Sequence, residues 1–126
     1  MAEDGFLLDS NICIYALRGL SEPLRARLAE QAEGSLFVST VSLAEISVGY
    51  GEAVFDAPDL AEFLESVQPL AFDVQAAMVH GTLPFRRARL DRLIAAHALA
   101  SGMTLVTNNE RDFADIPELR VENWTK

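Results

Sequence analysis

Cysteine is almost absent from the sequence. The only one, Cys13, cannot form a disulfide within the chain. A small disulfide-stapled scaffold is therefore excluded, and a cysteine-based zinc module is disfavoured. Lysine is equally scarce, with Lys126 alone at the C-terminus. No uninterrupted apolar run approaches the roughly 18–20 residues of a bilayer span, so no membrane partner is expected. The opening Met1-Ala2-Glu3-Asp4-Gly5 is acidic where a secretory signal carries basic residues, which points to a cytoplasmic protein. The patterns G-x-x-x-x-G-K-[ST], G-x-G-x-x-G and G-x-S-x-G are all missing. NTPase, dinucleotide-binding and α/β-hydrolase readings thus have no support.

What is present is a globular composition. Of 126 residues, 50% are hydrophobic, 8% aromatic and 23% charged, which suits one domain spanning 1–126. A chain of this length buries roughly two-thirds of the surface its unfolded form exposes, enough for one core. Ten basic residues against nineteen acidic ones leave a net charge of −9, which taken globally opposes binding of a polyanion. The distribution qualifies this. Between Leu28 and Phe85 there is no Lys or Arg and there are nine carboxylates, whereas Arg86, Arg87, Arg89, Arg92 and Arg111 crowd one stretch. An acidic protein can still carry a basic rim.

Short apolar runs alternate with amphipathic segments. Phe6-Leu7-Leu8, Ser35 to Ser39, Pro69 to Phe72, Met103 to Thr107 and Leu119 to Glu122 are of strand length. Their unbroken apolar character suits strands covered on both faces. Between them, Ser21 with Pro23 opens a helix that Gly34 would stop, and Asp56 to Val67 places Leu60, Phe63, Leu64 and Val67 on one face. Asp73 is placed to cap a short helix ending near His80-Gly81. Leu90 to Ala100 carries Leu90, Leu93, Ile94 and His97 as a stripe, closed by Gly102. This alternation predicts an α/β fold with a mainly parallel sheet.

Ligands of such sheets bind beyond the carboxyl ends of the strands. Asp9 ends the first strand, Glu45 follows the second, Asp91 opens the helix leading into the fourth, and Asn108, Asn109 and Asp112 follow the fourth. Brought together, these oxygens suit Mg²⁺ or Mn²⁺ rather than zinc, and their mutual repulsion calls for a cation. In-line phosphoryl displacement is the chemistry such a cluster serves. Each residue also has a purely local reading. Asp9 could cap the next helix, Ser42-Leu43-Ala44-Glu45 matches the S-x-x-E capping box, Asp91 suits a helix N-terminus, and Asp112 and Asp115 suit turns. His97, on an apolar stripe, reads as a packed core histidine, Cys13 as core, Trp124 as a core closure and His80 as a helix end. The arginines around Asp91 read either as a solvated face or as phosphate contacts.

Four segments resemble PIN-domain ribonucleases. Leu7-Leu8-Asp9-Ser10-Asn11 is similar to their opening L-D-T-N, and Thr40 to Glu45 to their second acidic motif. Leu90 to Leu99 resembles the D-x-x-I-A-A-x-A helix, and Leu105 to Phe113 the final T-x-N-x-x-D-F element. The close Val121-Glu122-Asn123-Trp124 resembles that of VapC-type toxins of bacterial toxin–antitoxin pairs. The match runs in order from about Phe6 to Trp124.

The resemblance implies a PIN-like three-layer sandwich, its central sheet of four to five mainly parallel strands flanked by helices. It implies a Mg²⁺- or Mn²⁺-dependent endoribonuclease, acting on an RNA such as tRNA and held inactive by a VapB-like antitoxin. The assembly would be a homodimer or a toxin–antitoxin hetero-oligomer. Asp9, Glu45 and Asp91 carry over as catalytic, metal-holding acids. Asp112 matches the acid of the D-F pair, and Asn109 stands where some relatives have Asp. Ser10 replaces the commoner Thr, and Ser10, Asn11 and Asn109 are expected as polar neighbours of the site. Arg86, Arg87 and Arg92 are expected to contact RNA. Ser21 to Gly34 and Glu52 to Val67, with their apolar faces, are the expected partner surfaces. The main alternative is a PIN fold that binds RNA or protein without chemistry. A doubly wound phosphatase or phospho-acceptor is disfavoured, because Asp9-Ser10-Asn11 lacks the D-x-D pattern and no lysine precedes Lys126.

Overall fold

A computed structural model describes residues 5–84 and 90–126. Five short strands form one sheet: β1 (Phe6–Leu8), β2 (Leu36–Ser39), β3 (Gln68–Leu70), β4 (Thr104–Val106) and β5 (Val121–Glu122). Their order is β3-β2-β1-β4-β5, and every pairing is parallel. Phe6, Leu7 and Leu8 stand opposite Leu36, Phe37 and Val38 on one side and Thr104, Leu105 and Val106 on the other.

The central strands are mainly apolar because both faces are covered, with Ser39 and Thr104 as buried polar exceptions at their ends. Successive side chains alternate across the sheet. Leu8, Val38 and Val106 therefore join Ile12, Cys13, Leu24, Ile46, Leu60 and Trp124 on one face. Leu7 and Leu105 join Ile94, Ala95, Ala98, Met103 and Phe113 on the other. Leu7, Leu8 and Leu105 are all fully buried, each stabilising the fold by roughly 1.5–3 kcal/mol. Helices α1 (Ser10–Arg18), α2 (Glu22–Glu30) and α4 (Pro58–Ser66) supply the first layer. Helix α6 (Leu90–Ser101) covers the second face with α5 (Val74–His80) packed against it. Helix α3 (Thr40–Val48) follows β2 without a linker and touches both α1 and α6. These layers are those of the expected three-layer sandwich.

Several boundaries differ from the sequence reading, among them the start of β5, at Val121 rather than Leu119. Helix α2 ends at Glu30 with Gln31 extended, several residues before Gly34. Helix α4 begins at Pro58 rather than Asp56, because proline at the first helical position loses no hydrogen bond. Residues Gly51–Asp56 instead form a 3₁₀ turn. Strand β3 ends at Leu70, two residues before Phe72. The close of α6 is as expected. Gly102 adopts φ 68°, and Met103 N–H returns to the Ala98 carbonyl at 2.9 Å, turning the chain straight into β4.

The order of strands reverses at β1, with β2 and β3 to one side and β4 and β5 to the other. The carboxyl ends of β1 and β4 therefore flank a crevice at a topological switch point, the usual place for a ligand in such sheets.

Candidate active site

Asp9 enters this crevice directly from β1. Its backbone is extended and its Oδ1 accepts the Ile12 N–H at 2.8 Å, so it caps α1. The cap does not compete with a site role, because one oxygen serves the helix while the same carboxylate lines the cavity. Asp9 is only 6% exposed. Burial pushes its carboxyl above the ordinary value, and the charges of Asp91 and Glu45 push the same way. Hydrogen bonds from the Thr107 side chain and the Ile12 N–H oppose them.

Glu45 is not a capping residue. Ser39 caps α3 through the Val41 N–H at 3.1 Å, which puts Ser42 and Glu45 inside the helix. The S-x-x-E match therefore begins three residues too late to close a capping box. Glu45 is instead turned toward α1, where it accepts a hydrogen bond from Ser10 Oγ.

Asp91 sits in the first turn of α6, where the helix dipole favours a carboxylate. Asp112 lies in a 3₁₀ turn, Glu110–Phe113, and accepts from Asn109 Nδ2. The Asn109 N–H is in turn held by Thr107 Oγ1 at 3.0 Å.

A cavity of about 320 Å³ brings these residues together. Asp9, Glu45, Asp91 and Asp112 line it, with Ser10, Asn11 and Asn109 between them and Leu90, Ile94 and Phe113 as an apolar wall. No Lys or Arg is among its described lining residues. Both Asn109 and Asp112 reach the cavity, so neither displaces the other.

All the donors are hard oxygens and amides, which fit Mg²⁺ or Mn²⁺ by chemistry. No three Asp, Glu, His or Cys side chains among the described residues are gathered closely enough to cage a metal by themselves. That arrangement still suits Mg²⁺, which usually keeps several waters and takes only one or two carboxylates directly.

Arg92 departs from the sequence reading. It is 6% exposed, and its Nη2 donates to Asp115 Oδ1 at 2.8 Å and to the Asp112 carbonyl at 3.2 Å. A guanidinium buried in this way is not presented to a nucleic-acid backbone. Arg86 and Arg87, with Arg89, lie outside the described residues.

The core assignments agree with the sequence reading. His97 is buried, its Nδ1 lies 2.9 Å from Ser39 Oγ, and its ring meets Phe72 edge-on. Burial lowers its pKa below the ordinary histidine value, against the pull of Asp73 and the Ala71 backbone. Cys13 is buried, and Trp124 packs edge-on against Phe6 with the Arg27 guanidinium over its ring.

Thr107 is the residue that sequence reasoning missed. Fully buried at the end of β4, it holds both the Asp9 side chain and the Asn109 backbone. The Thr of the T-x-N pattern is the sequence signal for it.

Residues 6–119 match the family model described as PIN domain. Among curated relatives, the tRNA(fMet)-specific endonuclease VapC of Salmonella typhimurium is 32% identical, aligned over 94% of this chain and 97% of the relative. Ribonuclease VapC2 of Rickettsia felis is 30% identical over 96% of this chain and 98% of the relative. Among solved structures, VapBC2 from Rickettsia felis, bound to a promoter DNA fragment, superposes with a TM-score of 0.81. The match covers 94% of this chain and 98% of that chain at 30% identity. DNA-bound VapBC from Salmonella typhimurium superposes at 0.80, covering 95% and 98% at 30% identity. Matched along nearly its whole length in sequence and in fold, this chain belongs to the PIN domain family.

Proposed function

We propose that the protein is a metal-dependent endoribonuclease, the toxin of a cytoplasmic toxin–antitoxin pair. The observation that carries this is the convergence of Asp9, Glu45, Asp91 and Asp112 on one cavity with no lining cation among the described residues. Keeping four carboxylates together is costly unless a divalent ion neutralises them. The names of the relatives, ribonuclease and tRNA(fMet)-specific endonuclease, support RNA as substrate and make a structured tRNA the first to test.

Asp9, Glu45, Asp91 and Asp112 are the residues that would hold Mg²⁺ or Mn²⁺. When bound, such an ion supplies Lewis acidity toward water and phosphate and offsets the charge that builds on the leaving oxygen. The chain's own part is positional. The α1 cap and Thr107 fix Asp9, Ser10 fixes Glu45, and Asn109 fixes Asp112. Leu90, Ile94 and Phe113 give the cavity one apolar wall. Water adds to phosphorus as the bond to the 3′ oxygen breaks, leaving a 3′-hydroxyl and a 5′-phosphate. Arg86 and Arg87 are assigned to the RNA backbone, where they offset the net charge of −9.

The antitoxin assignment is supported by the VapBC complexes among the structural neighbours. It is also supported by large apolar side chains left exposed on α3 and the following 3₁₀ turn: Val48 is 81% and Phe55 90% exposed. A groove lined by Ile14, Leu17, Ile46 and Tyr50 runs to Glu45, so a partner lying in it reaches the acids. No helix among the described residues is long and apolar enough to cross a membrane.

Purified parent protein should cut RNA only with Mg²⁺ or Mn²⁺ present. Asp9→Asn keeps the cap acceptor for Ile12 and should lose at least ~100-fold in rate while remaining folded. An Asp9→Asn protein as active as the parent overturns the assignment. The absence of a preformed three-carboxylate cage among the described residues favours a second reading, a PIN fold that binds without chemistry. Metal-independent RNA binding with no cleavage would establish it.

A further inference from the structure

We propose that Arg92 is a positioning residue, a buried strut that sets Asp91 and Asp112 at their working separation across the cavity. The inference deepens the nuclease reading and rests on it. Asp91 and Asp112 come from different elements, the first turn of α6 and the Glu110–Phe113 turn. Nothing in the local propensity of either element sets the distance between them. Arg92 does. It follows Asp91 on the helix, and neighbouring positions there diverge by about 100°. Asp91 can therefore line the cavity while Arg92, absent from that lining, points into the protein.

One guanidinium nitrogen, Nη2, grips the far segment twice. It donates to Asp115 Oδ1 at 2.8 Å and to the backbone carbonyl of Asp112 itself at 3.2 Å. Asp112 is thus held from behind by its carbonyl and from the side by Asn109 on its carboxylate. The Arg92 and Asp115 side chains are 7% and 23% exposed. An ion pair this buried is a costly choice for stability alone, since an apolar pair of similar volume often serves as well. The Arg92 Nη1 has no hydrogen-bond partner among the described residues, a further burial cost. Planar donors and a permanent charge give what an apolar pair cannot, a directional tie to one carbonyl and one carboxylate.

The test uses Asp115→Asn, Arg92→Lys and Arg92→Met in the full chain. Mn²⁺ affinity is measured by calorimetry, and cleavage kinetics and the salt dependence of RNA binding are measured alongside. A strut predicts Mn²⁺ affinity and kcat each reduced about 10- to 100-fold, with KM and the salt slope unchanged. Arg92→Met should be more affected than Arg92→Lys, and circular dichroism should show the two milder variants folded. Unchanged Mn²⁺ affinity overturns the proposal. A raised KM with a salt slope shallower by about 0.7–0.9 also overturns it and returns Arg92 to the RNA backbone. If the parent itself neither binds Mn²⁺ nor cuts RNA, the nuclease reading fails and the strut fails with it. A parent active beside unaffected variants removes only the strut.

Discussion

At the scale of single residues, the site sets stability against function at Asp9. Burial first, then the charges of Asp91 and Glu45, raise its carboxyl above the ordinary 3.8. The folded state thus keeps the proton to a higher pH than the unfolded chain. This contribution to stability is complete below pH 3.8 and is lost as pH rises through the folded value. Near neutrality the metal-free protein carries a destabilising charge. Asp9→Asn should therefore raise the melting temperature of metal-free protein at pH 7 and narrow its advantage toward pH 3–4. Thermal melts across that range with chelator present check this, and a lower melting temperature at pH 7 contradicts it. The two roles of Asp9 also show why local pattern alone could not decide its function. The cap and the cavity use the same carboxylate, so a correct local reading was not a rival to the functional one. Glu45 is the opposite case, since its capping-box match had the right letters but the wrong helix start. Arg92 has the sequence setting of a phosphate contact, an arginine beside a candidate site, but its partner lies 23 positions away at Asp115 and local pattern carries no trace of it.

At the scale of elements, helix starts do much of the positioning. Asp9 caps α1, Ser39 caps α3 and Asp73 caps α5. Ser39 is the most heavily used, because its hydroxyl serves the Val41 N–H and also lies against His97 Nδ1. Ser39→Ala removes a cap and strips a buried ring nitrogen of its neighbour. It should cost about 1–3 kcal/mol in urea unfolding, and a loss under ~0.5 kcal/mol would show that the cap is not holding α3. The elements easiest to read from sequence were β1, β2 and β4, where unbroken apolar runs report coverage on both faces. Strand β3 was harder. It sits at the sheet edge as Gln68-Pro69-Leu70, with proline tolerated there because one side needs no ladder bond. The start of α4 differs because the apolar face alone does not mark a first turn, whereas Pro58 does: Gly51–Asp56 form a 3₁₀ turn and the helix begins at the proline.

At the scale of the whole molecule, a chain of net charge −9 must bring a polyanion to a cavity lined by four acids. The cation-free stretch from Leu28 to Phe85 and the arginines just beyond it give the molecule a lopsided charge along the sequence. Replacing Arg86 and Arg87 together by alanine should weaken RNA binding and make its salt slope shallower by about 1.4–1.8, two phosphate contacts' worth. Filter binding between 50 and 200 mM salt measures this, and an unchanged slope assigns the RNA surface elsewhere. The order of strands could not be read from the chain itself. It follows from long-range pairing, and it alone places the end of β1 beside the end of β4 and so collects Asp9, Thr107 and Asn109 in one place.

The most direct measurement is anomalous diffraction from crystals soaked in Mn²⁺. A peak inside the cavity among Asp9, Glu45, Asp91 and Asp112, absent from crystals of Asp9→Asn, is the predicted result. No peak there in the parent, with ordered manganese only elsewhere on the surface, would contradict the account.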